Sequence, residues 1–342
     1  MFLRKIKYNF TPQLNNVKYM NRFAMVLTGI LSVLAFGVAN AQQDAQFSQY
    51  MFNNLYTNPG YAGLEGAPKF TAIHRTQWAG YGDGSGGGAP QDQILTASIP
   101  VHLLMGGVGV QLTHDKIGPN TNLDVLISYA YHINLGGGKL GLGLRSGILN
   151  SYSGGPRVAT DPNDVVVENL DNKNLNQMSP DFALGVFYNH SKFYVGASLN
   201  HLVKQKLSDL GKKQSRHMFV NGGYNYQVAS NVLLTPSLIT KYDAGSDAGS
   251  NSGKWSTEVS VMATFSTRYW AGLSLRQQDA LIPFVGLSFL KNNAMKLGFA
   301  YDYTLINQSG KATSSYEIML SYSLPAFVPP VKPVIRTPRY RF

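Results

Sequence analysis

The chain has 342 residues, of which only 14% are charged, and it contains no cysteine, which excludes disulfides, thiolate metal sites and cysteine nucleophiles. Its formal net charge of +11 is concentrated at the two ends, because residues 1–41 carry five basic residues and residues 325–342 carry four, with no acid in either stretch. The body between them is close to neutral, and it therefore gives no support to nucleic-acid binding.

The N-terminus has the three parts of a secretory signal peptide. Met20 begins a short basic region, an apolar core follows over 23–38, and Ala-Asn-Ala at 39–41 forms a small-residue cleavage site. We therefore predict a signal peptide over 1–41, with Met20 as an alternative start of translation and Gln42 as the first mature residue. An uncleaved anchor helix is the competing interpretation, and the lack of a following cysteine excludes a lipoprotein.

Residues 42–69 have a different pattern from the rest of the chain. Phe47, Tyr50 and Leu55 fall near helical spacing, and Asn58-Pro59-Gly60 then ends any helix, because proline disfavours helical geometry in the residue before it. This pattern predicts a short helix and a turn ahead of the first strand. Two interpretations stay open: the segment plugs the lumen of a barrel, or it is a flexible periplasmic linker.

From residue 70 onward, apolar residues recur with a period of two, which is typical of strands with one apolar face. The hairpin Asn122–Asn150 is the clearest case, with a glycine turn at 135–138 between two long legs. Both legs exceed the usual soluble strand and suit the roughly 9–11 residues that cross a bilayer at a tilt. Fourteen strands are predicted in all: 70–77, 92–100, 106–115, 122–134, 138–150, 178–189, 193–202, 217–227, 231–242, 254–265, 269–276, 280–289, 296–303 and 314–324.

The connections alternate in length, as they do in outer-membrane barrels, where short periplasmic turns face long outer loops. Short ones follow the even-numbered strands, and long polar ones follow the odd-numbered strands except at 277–279. A soluble β-sandwich is the competing fold, but the face that would meet water keeps Val259, Val261 and Phe265. We predict an all-β transmembrane antiparallel β-barrel of about 14 strands over 70–324, in the outer membrane of a Gram-negative bacterium.

The C-terminal residues 325–342 cannot continue the sheet. Pro325 ends the last strand, since proline has no N–H for a ladder hydrogen bond, and four more prolines follow among basic residues. This composition predicts an extended, proline-rich basic tail in the periplasm. Phe342 gives an aromatic C-terminus, although it lies well beyond the last strand.

The sequence carries no recognisable catalytic, cofactor or metal motif. The Gly82–Gly88 loop follows a strand, but no helix and no Lys-Ser/Thr pair come after it, so an outer loop is favoured over a phosphate-binding loop. The seven histidines lack metal-ligand spacing, and there is no G-x-S-x-G elbow. We therefore expect no enzyme and no cofactor. An outer-membrane hydrolase would need a nucleophile and a base from distant strands to converge.

Six charged residues fall on the faces that are predicted to line the lumen. Charges inside a barrel are usually paired or hydrated. They either serve the structure of the barrel itself or hold residues 42–69 in the lumen, and both interpretations are kept. The six are Asp124, Arg145, Glu258, Arg276, Asp302 and Glu317.

Several stretches between residues 42 and 324 resemble the PorP/SprF family of the type IX secretion system. One departure is Tyr316, where the family commonly has a histidine before the glutamate, and the long basic tail is a second. The stretches that carry the resemblance are Gln49-Tyr50, Asn58-Pro59-Gly60-Tyr61-Ala62-Gly63, Arg75-Thr76-Gln77-Trp78, Gly298-Phe299-Ala300-Tyr301-Asp302-Tyr303, and Ser315-Tyr316-Glu317-Ile318-Met319-Leu320-Ser321-Tyr322.

The resemblance implies a non-enzymatic outer-membrane component of protein secretion and gliding motility. Such proteins work beside periplasmic ring and peptidoglycan-binding partners, and some are paired with a large secreted adhesin, whose C-terminal secretion signal they help to export or anchor. On this basis we expect docking of a secreted surface protein on the outer loops 151–177 and 203–216. The turns and the tail are expected to contact the periplasmic machinery. The alternative is a channel or hydrophobic-compound transporter with an N-terminal plug.

Overall fold

The computed structural model describes residues 45–80, 88–154, 175–203, 206–207, 212–213, 215–244, 254–277, 279–305 and 314–326. The predicted signal peptide, nearly all of the Gly82–Gly88 loop and the basic tail beyond residue 326 lie outside the described residues. Most of the predicted docking loops, 151–177 and 203–216, also lie outside them. The two short strands Lys206–Leu207 and Lys212–Lys213 form a separate hairpin within the second of these loops.

The described residues form an antiparallel sheet of fourteen barrel strands, which confirms the predicted fold. The predicted strand positions agree with the observed ones to within three residues. The strands are β1 Lys69–Thr76, β2 Gln91–Val101, β3 Gly106–Ile117, β4 Asn120–Leu135, β5 Gly138–Ser153, β6 Leu175–Asn189, β7 Phe193–Asn200, β8 His217–Tyr224 with its continuation Tyr226–Ala229, β9 Val232–Asp243, β10 Lys254–Phe265, β11 Tyr269–Arg276, β12 Ala280–Phe289, β13 Met295–Thr304 and β14 Ser314–Ser323.

The sheet closes on itself between its first and last strands. β1 pairs with β2 on one side and with β14 on the other, in a register that sets Lys69 opposite Ser323 and Arg75 opposite Glu317. Closure matters because an open sheet edge would leave backbone N–H and C=O groups unpaired in lipid. β8 is the strand that departs from the prediction: it is interrupted at Asn225, and its continuation pairs only with β9.

The side chains alternate between a lipid-facing and an inward-facing set. Along β4, Ile127 is 58% exposed while Ser128, the next residue, is 2% exposed. The outward residues are largely aliphatic or aromatic, and the inward ones are small, polar or charged. This arrangement suits a sheet that meets hydrocarbon on its outer face.

The barrel has one end with short turns, which is the periplasmic end in outer-membrane barrels. The β4–β5 turn shows why the sequence turns there: Gly136 and Gly137 have φ of 55° and 83°, which glycine adopts without a steric penalty. Both β1 and β14 reach this end, because β1 begins and β14 ends there. Among the described residues, no helix is long and apolar enough to span a membrane.

The buried apolar residues lie between the inner wall and the residues that precede β1. Phe47 and Phe52 pack with a group on β1, β2 and β11–β14, while Leu55, Tyr61, Ala62 and Leu64 pack with Ala130 and Phe187 on the other side. The wall residues of the first group are Ile73, Ile94, Trp270, Ala280, Ile282, Phe284, Ala300 and Met319. The core of this protein is therefore inside the barrel.

A charge on the outer face should destabilise the fold according to its depth in the membrane. We expect Ile127→Arg, at the middle of β4, to lower the free energy of unfolding by about 2–4 kcal/mol, and Leu135→Arg, at the end of the same strand, by about 0–1 kcal/mol. Urea titration in lipid vesicles measures both values. Equal costs at the two positions would contradict a lipid-facing β4.

Candidate functional site

The N-terminal segment (residues 45–66) follows the inner wall of the barrel. It contains three helical turns, Tyr50–Phe52, α1 Asn54–Thr57 and Pro59–Tyr61, each of only three or four residues. Turns this short leave most of their backbone N–H and C=O groups without a partner inside the helix. Buried groups of this kind need partners elsewhere, and inward-facing side chains of the strands supply them.

A cluster of buried charges lies at the extracellular half of the wall. The Arg276 guanidinium bonds Glu258 (Nε–Oε2 2.8 Å) and Asp302 (Nη1–Oδ2 3.0 Å). Arg75 bonds the same Asp302 oxygen (Nη2–Oδ2 2.7 Å) and lies 3.7 Å from Glu317 (Nη1–Oε2). All five side chains are at most 2% exposed. We call these five residues the charge cluster; with two cations and three carboxylates, it has one negative charge in excess.

Ser48 and Gln49 of the N-terminal segment form hydrogen bonds with the charge cluster. The two carboxylate oxygens of Glu317 accept the backbone N–H groups of Ser48 (2.6 Å) and Gln49 (2.9 Å). The Ser48 hydroxyl donates to Asp302 Oδ1 (2.8 Å) and accepts from Arg75 Nη1 (2.5 Å) and Arg276 Nη2 (3.1 Å). The segment thus adds hydrogen bonds to Glu317, Asp302 and both arginines, while Arg75 Nε and Glu258 Oε1 have no hydrogen-bond partner within the described residues.

Arg145 holds the middle of the N-terminal segment. Its guanidinium donates to the carbonyl oxygens of Leu55 and Tyr56 (2.9 Å for Tyr56), and its Nε donates to Ser128 Oγ (3.1 Å). These carbonyls belong to α1, whose C-terminal end a cation stabilises. The next carbonyl, of Thr57, accepts from Ser198 Oγ at 2.7 Å. Side chains of the inner wall therefore donate hydrogen bonds to three successive carbonyl groups of α1.

Tyr50 reaches the opposite side of the barrel. Its hydroxyl lies 3.1 Å from Ser237 Oγ and 3.2 Å from Ser260 Oγ. Burial raises the pKa of this phenol above its ordinary value, and the nearby Glu258 carboxylate adds to the effect. The side chain is therefore a neutral hydrogen-bonding group that ties the segment to β9 and β10.

Residues 58–63 lie against glycines of the wall at backbone distance. A Cβ on Gly143 would be 2.2 Å from the Gly60 nitrogen, and a Cβ on Gly107 would be 2.5 Å from the Gly63 Cα. Asn58 fixes this approach by donating Nδ2 to the Val186 and Ala197 carbonyls, at 3.0 and 3.1 Å. Only glycine allows the wall and the segment to come so close.

The segment is held again at the periplasmic end, just before β1. Lys69 Nζ donates to the Phe52 carbonyl (2.9 Å) and to Glu65 Oε1 (2.8 Å), and the Tyr61 hydroxyl also donates to Glu65. His132 Nε2 contacts the Ala62 carbonyl at 2.8 Å. The N-terminal segment therefore contacts the wall from the charge cluster to the periplasmic rim.

The structure brings most of the residues noted in the sequence to this interface. Gln49, Tyr50, Asn58, Pro59, Gly60 and Gly63 belong to the segment, and five of the six predicted inward charges (Arg145, Glu258, Arg276, Asp302 and Glu317) are buried. Asp124 also faces inward on β4 and is partly buried, but it is separate from the charge cluster. Gln77 and Trp78 follow β1, where their N–H groups donate to the Pro90 carbonyl (2.8 Å) and to Ser315 Oγ (2.9 Å).

Sequence analysis missed several members of the interface. Arg75 was noted for the family resemblance and not as an inward charge, although its position on β1 could have shown it. Ser48 is an ordinary polar residue in the sequence. The wall glycines follow a detectable signal, because Gly107, Gly143 and Gly185 occupy inward positions on β3, β5 and β6.

Comparison with known proteins gives one family and several outer-membrane barrels. The family described as "Type IX secretion system membrane protein PorP/SprF" matches residues 39–322. No curated protein sequence matches the chain.

Two solved structures from Pseudomonas putida and one from Acinetobacter baumannii are similar at low identity. The P. putida toluene transporter TodX is 10% identical, with a TM-score of 0.45 over 85% of this chain and 96% of that one. The A. baumannii outer membrane protein Omp33 is 8% identical, with a TM-score of 0.39 over 75% and 98%. The COG4313 outer membrane channel of P. putida F1 is 10% identical, with a TM-score of 0.37 over 75% and 95%.

Removing one cation of the charge cluster should leave a buried carboxylate unpaired. We expect Arg276→Gln to lower the free energy of unfolding by about 3–5 kcal/mol. The double variant Arg276→Gln/Glu258→Gln should lose less than the single one, because the orphaned charge is then gone. Urea titration in vesicles measures both, with Lys291→Gln at an exposed turn as the control. A double variant with a lower free energy of unfolding than the single variant would contradict the pairing of Arg276 with Glu258.

A methyl group on the wall glycines should displace the N-terminal segment. We expect Gly143→Ala to destabilise the protein by about 1–3 kcal/mol, since the new Cβ overlaps the backbone of Pro59 and Gly60. Gly222→Ala on β8 is the control, because its Cβ would be no closer than 3.2 Å to any atom. Limited proteolysis of residues 45–66 should increase in the first variant alone. Equal protection in both variants would contradict this contact.

Proposed function

This chain belongs to the PorP/SprF family of type IX secretion system membrane proteins, and we propose that it is a docking platform with a closed lumen. It is an outer-membrane β-barrel of that system. In our proposal its extracellular loops hold a secreted surface protein, such as an adhesin or its C-terminal secretion domain. Its periplasmic face contacts other components of the secretion and gliding machinery.

The observation that carries the proposal is the bonding of the N-terminal segment to the inner wall. The segment is bound at the charge cluster by Glu317, at mid-height by Arg145, and at the periplasmic rim by Lys69. A conducting pore needs a continuous water path, and a segment fixed at three heights obstructs one. We therefore assign residues 42–69 the role of a permanent plug, and the barrel that of a rigid support.

The extracellular loops are the parts that we assign to recognition. Loops 151–177 and 203–216 are the longest connections of the chain, and both leave the barrel at the end opposite to the short turns. Long loops on a rigid scaffold are where binding residues concentrate. A filled interior makes the scaffold stiffer, because the wall cannot collapse inward when the loops bind a partner.

A transporter for small apolar compounds is the second candidate. A small pocket of about 30 Å³ lies beside the N-terminal segment, with walls that include Phe47, Tyr56, Phe219 and Ile239. Within the described residues, Glu258 Oε1 at its edge has no hydrogen-bond partner. This pocket, which combines apolar walls with polar groups such as Asn53, Lys241 and Glu258, is the feature that favours transport.

Docking should depend on the long outer loops. We expect a tagged barrel, purified from native outer membranes, to retain a surface-exposed protein that carries a C-terminal secretion domain, identified by mass spectrometry. Replacing 155–174 by a short Gly-Ser linker should abolish retention, whereas mutating the outer β3–β4 turn at Gly118 should not. Retention that survives loss of both long loops would contradict the proposal.

Conductance measurements distinguish the docking-platform function from the transporter function. In planar bilayers we expect the mature protein to show no channel steps and no uptake of toluene as a probe, because the plug is bonded throughout. Deleting 45–66 should give open channels, provided that heat-modifiable mobility on gels shows a folded barrel. Arg145→Gln, which loses the bonds at mid-height, is a milder variant that should conduct intermittently. Uptake by the intact protein would favour the transporter.

A further inference from the structure

The periplasmic rim of the barrel carries cations and lacks acids. Exposed basic residues lie in or beside four of its turns: Lys139 at the start of β5, Lys192 before β7, Arg268 before β11 and Lys291 after β12. No Asp or Glu occurs in the six short turns that the structure describes. Glu65, the acid before β1, is bound to Lys69 and Tyr61. The rim therefore presents a positive face to the periplasm.

One strand at this rim has an edge without a strand partner. β7 ends its pairing with β8 where Phe193 meets Tyr224, and the continuation Tyr226–Ala229 pairs only with β9. The Asn225 N–H donates to the Lys192 carbonyl at 2.6 Å, which is the last backbone bond between the two elements in the described chain. All four residues beyond it are exposed, with Tyr226 at 58% and Val228 at 57%.

β4 also extends beyond its pairing with β3, which ends at Tyr131, but there the edge is covered. This difference distinguishes the edge at β8. There the helical turn His102–Leu104 follows β2, the His132 N–H donates to the Met105 carbonyl (2.9 Å), and the Tyr129 hydroxyl donates to the Leu104 carbonyl (2.7 Å). Among the described residues, no helical turn covers Tyr226–Ala229, which has a bulge between Gln227 and Ala229 where Gln227 Nε2 donates to the Ala229 carbonyl (2.6 Å). An exposed edge of this kind is a ready template for another strand.

A polar recess lies next to the uncovered edge. It has a volume of about 830 Å³, opens at the periplasmic end, and has walls made by the β4–β5 and β6–β7 turns. Asn225 contributes to its lining and is fixed by two bonds, from its Nδ2 to the Ser191 carbonyl (3.2 Å) and from Thr235 Oγ1 to its Oδ1 (3.1 Å). The lining also includes Lys139, His190 and two further amides, Asn134 and Asn189, and it contains no carboxylate.

We propose that Tyr226–Ala229 receives an extended acidic segment of a periplasmic protein as an added β-strand. The backbone of the segment pairs with the free edge, which gives affinity, while its carboxylates meet Lys192 and Lys139, which gives specificity. The proposal names the periplasmic partner class of the docking platform and rests on that proposed function. A lipid phosphate is the weaker fit, since it only accepts hydrogen bonds and cannot pair with the backbone C=O groups of a strand edge.

The test uses the full mature protein in detergent micelles and a labelled octapeptide of alternating Glu and Val residues. We expect this peptide to bind, the matching Lys-Val peptide not to bind, and Lys139→Glu/Lys192→Glu to weaken binding about tenfold or more. Arg268→Glu/Lys291→Glu is the matched control, because it makes the same charge change at turns distant from the edge, and it should weaken binding less than about threefold.

Photo-crosslinking in cells identifies the occupant. A benzophenone amino acid at Val228 should link to a periplasmic protein through an acidic segment, whereas the same group at lipid-facing Val220 should not. Equal binding of both peptides, or links at Val228 to phospholipid alone, would overturn the proposal. Retention of the secreted surface protein is measured in the same strains. This retention should survive Lys139→Glu/Lys192→Glu. A failure of the proposed strand binding at the rim can then be distinguished from a failure of the proposed docking on the outer loops.

Discussion

The interior of this barrel is governed by the cost of burying charge. Two guanidinium groups and three carboxylates lie together out of water, and such groups are tolerated when they pair with one another and form further hydrogen bonds. The strands alone leave Glu317 and Asp302 with spare acceptors. The backbone of Ser48 and Gln49 supplies the donors, so the wall and the N-terminal segment satisfy each other. The wall and the N-terminal segment each provide hydrogen bonds that the other would lack.

The barrel itself could be predicted from the sequence because its signals are local. A period of two defines each strand, and glycine or asparagine turns define the ends, so each strand was recognisable without its neighbours. The interruption of β8 was not predicted, because Asn225 is compatible with an alternating pattern and only the shorter β7 beside it shows where pairing stops.

The interface could be predicted only in part, because its contacts join residues that are far apart in the chain. Asp124 and Asp302 occupy equivalent inward positions in the sequence pattern, yet Arg75 bonds Asp302, a residue 227 positions away. Likewise, Gly143 reads as a small residue on an inward face, and only the fold shows that the Gly60 backbone rests on it. Family resemblance pointed to Asn58-Pro59-Gly60 without a physical reason, and the close backbone approach supplies one.

The path of the N-terminal segment links its docking to the closure of the barrel. The chain passes from the charge cluster down to the rim before it enters β1, and the seam between β1 and β14 sets Arg75 opposite Glu317. The residues that join the two ends of the sheet are thus the ones that grip Ser48 and Gln49. Docking of Ser48 and closure of the seam between β1 and β14 therefore depend on the same two side chains, Arg75 and Glu317, so a substitution at either one acts on both.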